Sequence, residues 1–228
     1  MSTSDNGTAA ALRRRWDPVK ERLRAENRLE NTLIRMHRAL SWLERSESLE
    51  DESDDALIFG WIALNALYGR WDAVRNEPEP DRFGLIAFID RVCALDATGH
   101  IAAMLADHRP LVRTLLEDEY LSRWFWQDPT EERARKQRKA WFDAQAWYLD
   151  GRHHRILDRT LERIYLQRCQ LVHGAATRSS RLNRVSLGRC RTMLGHILTA
   201  TILVIIDHGA DEDWGPLCYP PTDPAPGG

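Results

Sequence analysis

The stretch Phe59-Gly60-Trp61-Ile62-Ala63-Leu64-Asn65-Ala66-Leu67-Tyr68-Gly69 is apolar on nearly every side when wound as a helix, with Asn65 as its one amide. A helix of that kind has no face to give to water. It has to run through the centre of a fold whose other elements surround it. The pattern extends from about Asp55 to Val74, and Ser53, Asp54 and Asp55 offer N-caps and negative charge at its start. Asn65 falls on the face of Ile58 and Ile62. A buried amide needs hydrogen-bond partners, so Asn65 is either paired within the core or part of a site.

The surrounding patterns are helical too. From about Leu12 to Arg45, Leu29, Leu33, Met36, Leu40 and Leu43 follow a 4-3-4-3 spacing that puts one stripe on one helix face. A core stripe in a bundle explains this, and a dimer coiled coil is the alternative. Pro18 is expected to interrupt or start a helix. Acidic Glu44 to Asp55 and Asn76 to Asp81, with Pro78 and Pro80, read as loops. Helical patterns resume over Phe83 to Leu95 and His100 to about Tyr120, the latter broken at Asp107-His108-Arg109-Pro110. Two more run from about His153 to Leu171 and from about Arg184 to His208, where Gly209 is the stop. No stretch alternates as a strand would, and no repeat is visible.

An all-α fold follows, with a single domain over 12–208 in a chain of 228 residues. Residues 1–11 read as a disordered N-terminus, and 209–228, with Pro216, Pro220, Pro221, Pro224 and Pro226, as an extended tail. Hydrophobic residues are 43% and charged residues 29%, the balance of a soluble globular protein. The net charge of −2 excludes wholesale electrostatic capture of nucleic acid, so any such surface is a local patch. The apolar run Ile197 to Ile206 is about half of a bilayer span, so a buried helix is expected and no membrane partner. Cys93, Cys169, Cys190 and Cys218 show no CxxC pair or zinc-ligand spacing; reduced thiols in a cytoplasmic protein, with no metal and no cofactor, are expected.

Chemistry concentrates in Arg168-Cys169-Gln170-Leu171-Val172-His173-Gly174. Leu157, Leu161, Ile164 and Arg168 continue a 4-3-4 seam, which places a cation on the apolar side of a helix whose end coincides with His173. The spacing alone is weak. With 8 histidines among so many arginines, chance supplies about one Arg-x4-His pair, and a second copy exists at Arg191 and His196. His196 lies among Met193, Leu194, Ile197 and Leu198, where a satisfied core histidine is expected. On a straight helix Arg168 and His173 stand about 140° apart. They can face one atom only if the helix ends between them or a second chain completes the site, as a two-fold dimer would. In such a site His173 is a general base or acid of near-neutral pKa and Arg168 holds the phosphate. An RNA 2′-hydroxyl is then the nucleophile, which requires no metal.

Trp124, Trp126 and Trp141 flank a run that becomes strongly basic, with Arg133, Arg135, Lys136, Arg138 and Lys139. Basic charge interleaved with aromatic rings suits RNA, although a solvated helix face carries the same pattern. The segment Ala175 to Asn183, with Arg178 and Arg181, reads as a polar basic loop. Cys169 beside Arg168 is a lesser candidate nucleophile, since an apolar-flanked helical thiol is more often packing.

The pairing of Phe59 to Gly69 with Arg168 to Gly174, in that order, resembles the HEPN superfamily and its Apea-like branch in particular, over roughly Leu29 to His208. The resemblance implies a helical bundle with additional helices between about Phe83 and Tyr148. It implies a homodimer and metal-independent endoribonuclease activity in toxin–antitoxin or phage-defence systems, with RNA as substrate and an antitoxin or defence protein as partner. By motif position Arg168 and His173 match the family's catalytic pair. Cys169 stands where the family commonly has a polar residue such as Asn. Asn65 stands in the region where an acidic or other polar residue supports the site. Some members of the superfamily are non-catalytic modules that bind RNA, nucleotide or protein, which is the alternative.

Overall fold

The structure, a computed structural model, describes residues 7–49, 54–127, 130–175 and 184–220, and the side chains of all of these except 133–138. The fold is all-α. In chain order the helices are α1 (Ala9–Ala25), α2 (Glu30–Glu47), α3 (Asp54–Tyr68), α4 (Asp81–Leu95), α5 (His100–Asp107), α6 (Arg109–Glu117), α7 (Arg123–Gln127), α8 (Glu131–Leu149), α9 (His153–Val172) and α10 (Arg184–Val204). A 3₁₀ turn, Glu119–Leu121, precedes α7, and a π-helical turn, Ile205–Gly209, ends α10.

Two helices carry the centre. α3 packs against α2, α4, α9 and α10, and Leu57, Trp61, Leu64, Leu67 and Tyr68 are buried there. α10 packs against α1, α3, α4, α5, α6 and α9. Arg184–Gly209 is the one described segment long and apolar enough to cross a membrane, and 61% of its most apolar window is buried inside the protein. Those contacts account for its apolarity. The expected stripe of α2 holds at Met36, Leu40 and Leu43, while Leu29 and Leu33 are only partly covered.

Several expectations need correction. Pro18 lies inside α1 and neither starts nor breaks it. It points to solvent, while Leu12, Trp16 and Leu23 on the other face are buried and hold the helix in place. The break comes at Asn27 and Leu29, both in left-handed conformation with φ of 50° and 53°. α1 begins at Ala9, within the stretch read as disordered. Thr8 caps it, and the Ala9 N–H donates to the carboxylate of Glu47. α3 stops at Tyr68, short of Val74. A two-stranded antiparallel hairpin follows, β1 (Trp71–Asp72) with β2 (Glu77–Pro78), pairing Trp71 with Pro78 and Asp72 with Glu77.

The C-terminal segment is not a free tail up to residue 220. Ala210, Trp214 and Leu217 are buried, and the Trp214 indole N–H donates to Gly209 O. Gly209 has no left-handed φ; a Cβ there would come within 2.8 Å of the Trp214 ring, so close approach is what requires glycine. Two arginines one turn apart on α2 pin the segment. Arg35, 2% exposed, donates to the carbonyls of Leu67, Gly69, Trp214, Gly215 and Pro216. Arg38 donates to Cys218 O and Tyr219 O. Residues 1–6 and 221–228 lie outside the described residues.

Candidate functional site

α9 is helical from His153 to Val172, so all of the motif between Arg168 and His173 lies in it. Its seam of Ile156, Leu157, Thr160, Leu161, Ile164 and Gln167 is buried, and Arg168 is half-buried at its edge. The end is a Schellman closure: Gly174 N–H bonds to Leu171 O and Ala175 N–H to Gln170 O. Gly174 takes φ +68°, which a glycine adopts without strain. His173 is the C-cap residue, its N–H still bonded to Cys169 O at 2.9 Å, and its ring is exposed. The helical hydrogen bonding therefore carries through to His173, which leaves the two residues about 140° apart around the helix axis.

The other site residues gather where α9 meets α3. The Tyr165 ring packs on Trp61 with centroids 5.6 Å apart, and the Arg168 guanidinium lies 5.9 Å from the same Tyr165 ring. On α3, Trp61, Asn65 and Tyr68 follow one another at helical spacing along this side. Asn65 Oδ1 and Trp61 Nε1 are buried without a hydrogen-bond partner among the described residues. The expected core pairing of the Asn65 carbonyl is thus not made. Burial raises the Tyr68 hydroxyl far above its usual range, with Asp81 beside it adding to the rise and Arg168 opposing it. Arg168 is therefore close enough to act electrostatically on both tyrosines.

Cys169 lies one turn from Tyr165 on α9, and the neighbouring thiol, then burial, raises the tyrosine's pKa. The half-buried thiol thus sits against Tyr165 on the side of α9 that carries Arg168. Tyr165 was not singled out in the sequence. Its spacing of three from Arg168 and four from Cys169 was the available signal.

The end of α9 that carries His173 adjoins an aromatic patch. Gln170 Nε2 and Trp126 Nε1 both donate to Tyr120 O, at 2.9 Å each. Tyr120, Phe125 and Trp126 pack edge-on or tilted against one another, and Tyr120 and Trp126 are each exposed by more than two-fifths. Clustered exposed apolar side chains of this kind mark contact surfaces.

Of the residues expected to meet RNA backbone, the structure describes only the side chain of Lys139. It lines a basic and aromatic pocket of about 370 Å³ between α8 and α9 with Arg123, Trp124 and Trp147. The Arg123 guanidinium lies 4.3 Å from the Trp124 ring. The side chains of Arg133, Arg135, Lys136 and Arg138, and all of Arg178 and Arg181, lie outside the described residues.

His196 of the second Arg-x4-His pair is not the core histidine expected. Arg191 and His196 line an open groove of about 990 Å³. The His196 ring is half-buried and stacks flat on His108, with centroids 3.6 Å apart and planes 12° from parallel. Burial, then the facing His108, lowers the pKa of His196. Among the described residues, no three His, Cys, Asp or Glu side chains converge as metal ligands do. Comparison with protein-family models, with curated proteins and with solved structures gives no match.

Proposed function

We propose that this chain is a HEPN-type bundle that works as a cytoplasmic homodimeric endoribonuclease in toxin–antitoxin or phage-defence biology. The observation that carries this reading is the unbroken end of α9. It leaves His173 exposed and Arg168 half-buried about 140° away, so a working pair needs the helix end of a second copy. The exposed rings of Tyr120 and Trp126, tied to this end of α9 through Gln170, offer the apolar surface for that contact. In the composite site His173 takes the proton of a ribose 2′-hydroxyl, whose oxygen attacks the adjacent phosphorus. The 5′-oxygen leaves and a 2′,3′-cyclic phosphate forms. Arg168 neutralises the charge that gathers on the phosphate oxygens.

The pocket beside Tyr165 favours a second reading, a non-catalytic module that binds RNA or nucleotide through the same helices. Incubation of the wild-type protein and His173→Ala with total RNA and tRNA in EDTA separates the two. Cleavage to 2′,3′-cyclic phosphate ends by the wild type alone supports the nuclease. RNase activity undiminished in His173→Ala removes His173 from the chemistry, and binding without cleavage supports the module.

A further inference from the structure

Between α3, α4 and α9 lies a pocket of about 160 Å³, lined by Trp61, Tyr68, Asp81, Arg82, Asp158 and Tyr165, among others. This is below the roughly 300–1,000 Å³ of pockets that enclose a drug-sized ligand. It admits one flat ring system and leaves any attached sugar phosphate outside. Two of its sides are aromatic, Trp61 and Tyr165, whose rings also touch each other.

Its polar groups are of both kinds, and some lack partners. Glu162 at the border is paired with Arg159 at 2.7 Å, and Asp81 accepts from the Tyr68 hydroxyl at 3.4 Å. Asp158 is half-buried and has no hydrogen bond or ion pair among the described residues. Burial pushes its pKa up, and the nearby Arg159 and Arg82 offset this only in part. On the donor side, the indole N–H of Trp61 is unpartnered although the residue is only 2% exposed. The Arg82 guanidinium stands exposed at the rim.

A simple organic cation would satisfy the carboxylate and leave the donors idle. A ligand that fits both presents two adjacent N–H groups on one edge and acceptors on another. Guanine does so: N1–H and the N2 amino group are parallel donors for one carboxylate, and O6 and N7 accept from a guanidinium or an indole N–H. Adenine and cytosine put an acceptor nitrogen beside their amino group, which would face the second carboxylate oxygen. We infer that this pocket binds a guanine base stacked on Trp61 and Tyr165, with Asp158 reading its N1–H and N2 edge. The base is carried either by a free nucleotide or by an RNA strand; the second source rests on the nuclease reading above. Arg168, against the Tyr165 ring, is then placed for the attached phosphate.

The test is calorimetric titration of the full chain with GMP, AMP, CMP, UMP and spermidine, with tryptophan fluorescence recorded alongside. GMP binding with quenching, at least tenfold tighter than any other arm, is the expected result. Asp158→Asn should weaken GMP at least tenfold while the melting temperature stays within a degree or two. Arg168→Ala should weaken GMP but not free guanosine. Equal binding of AMP and GMP, preferential binding of spermidine, or no binding of GMP overturns the assignment. Oligoribonucleotides carrying a single G or a single A then distinguish the sources. If only free GMP competes, the nucleotide is the ligand; if the G-containing strand binds preferentially, RNA is. GMP binding in a protein that cleaves no RNA leaves the pocket standing and removes the nuclease. Cleavage with no preference at G and no GMP binding does the reverse.

Discussion

Arg168 and His173 share one uninterrupted helix yet serve different surfaces. The guanidinium lies 5.9 Å from the Tyr165 ring at the contact with α3, and His173 caps the helix in solvent about 140° away. If the two act together they do so across a dimer, and each site draws Arg168 from one chain and His173 from the other.

Complementation follows from that arrangement. Arg168→Ala and His173→Ala should each lose about 10²–10⁴-fold in cleavage rate. Mixed after co-refolding, they should recover about a quarter of the wild-type rate, because half of the dimers are mixed and one of their two sites is whole. No recovery in a mixture proven by mass to contain the heterodimer would place both residues in a single-chain site.

Cys169 neighbours Tyr165 and acts on its hydroxyl, so its loss should act through Tyr165 and no covalent intermediate should depend on it. Cys169→Ala is expected to reduce activity by less than about tenfold, the loss of one weak side-chain contact. Alkylation of the wild type should add bulk at the site and inhibit, while leaving Cys169→Ala insensitive. A loss comparable to that of His173→Ala would make the thiol part of the chemistry.

Much of the architecture was legible because apolar spacing reports burial directly. Met36, Leu40 and Leu43 on α2, and Leu157, Leu161 and Ile164 on α9, lie in the core where their 4-3 rhythm predicts. The all-apolar stretch from Phe59 is central for the same reason. The failures have a common cause, in that periodicity says which face is covered and not by what. Arg35 sits next to Met36 on the buried side of α2, but its acceptors include carbonyls some 180 residues away. The prolines of 209–228 read as a tail, yet Trp214 and Leu217 among them are buried, and a Trp and a Leu in a polar segment are the signal of docking. The pocket with Asp158 exists only because α4 closes it against α3 and α9, a relation that no local pattern records.

Arg35 yields a stability prediction. Arg35→Met keeps most of the aliphatic volume and strips the donor from five carbonyls, several of them buried. The expected cost is about 3 kcal/mol or more, a fall in Tm of roughly 6–12 °C for a chain of this size. Amide exchange over 214–219 should rise more than elsewhere, since those residues lose their tether to α2. An unchanged exchange pattern there would show that Trp214 and Leu217 dock the segment without the arginine.

The stacked pair His108 and His196 gives the fold a dependence on pH with a definite sign. His196 has its pKa lowered in the folded protein from the ordinary 6.5, first by burial and then by the facing His108. The unfolded chain therefore takes up this proton before the folded chain does. Stability contributed by the neutral ring is whole above about 6.5 and declines as pH falls toward the folded value, by at most about 1.4 kcal/mol per pH unit for one group. Glu47, Asp107 and Arg191 line the same groove, and other carboxylates titrate in acid as well, so the readout is a difference. His196→Phe keeps a flat ring against His108 and removes the titration. Between pH 7 and 5 the wild type should lose more of its Tm than the variant does, while above pH 7 the gap between them should be constant. Parallel melting curves over the whole range would mean that protonated His196 is accommodated in the groove without cost.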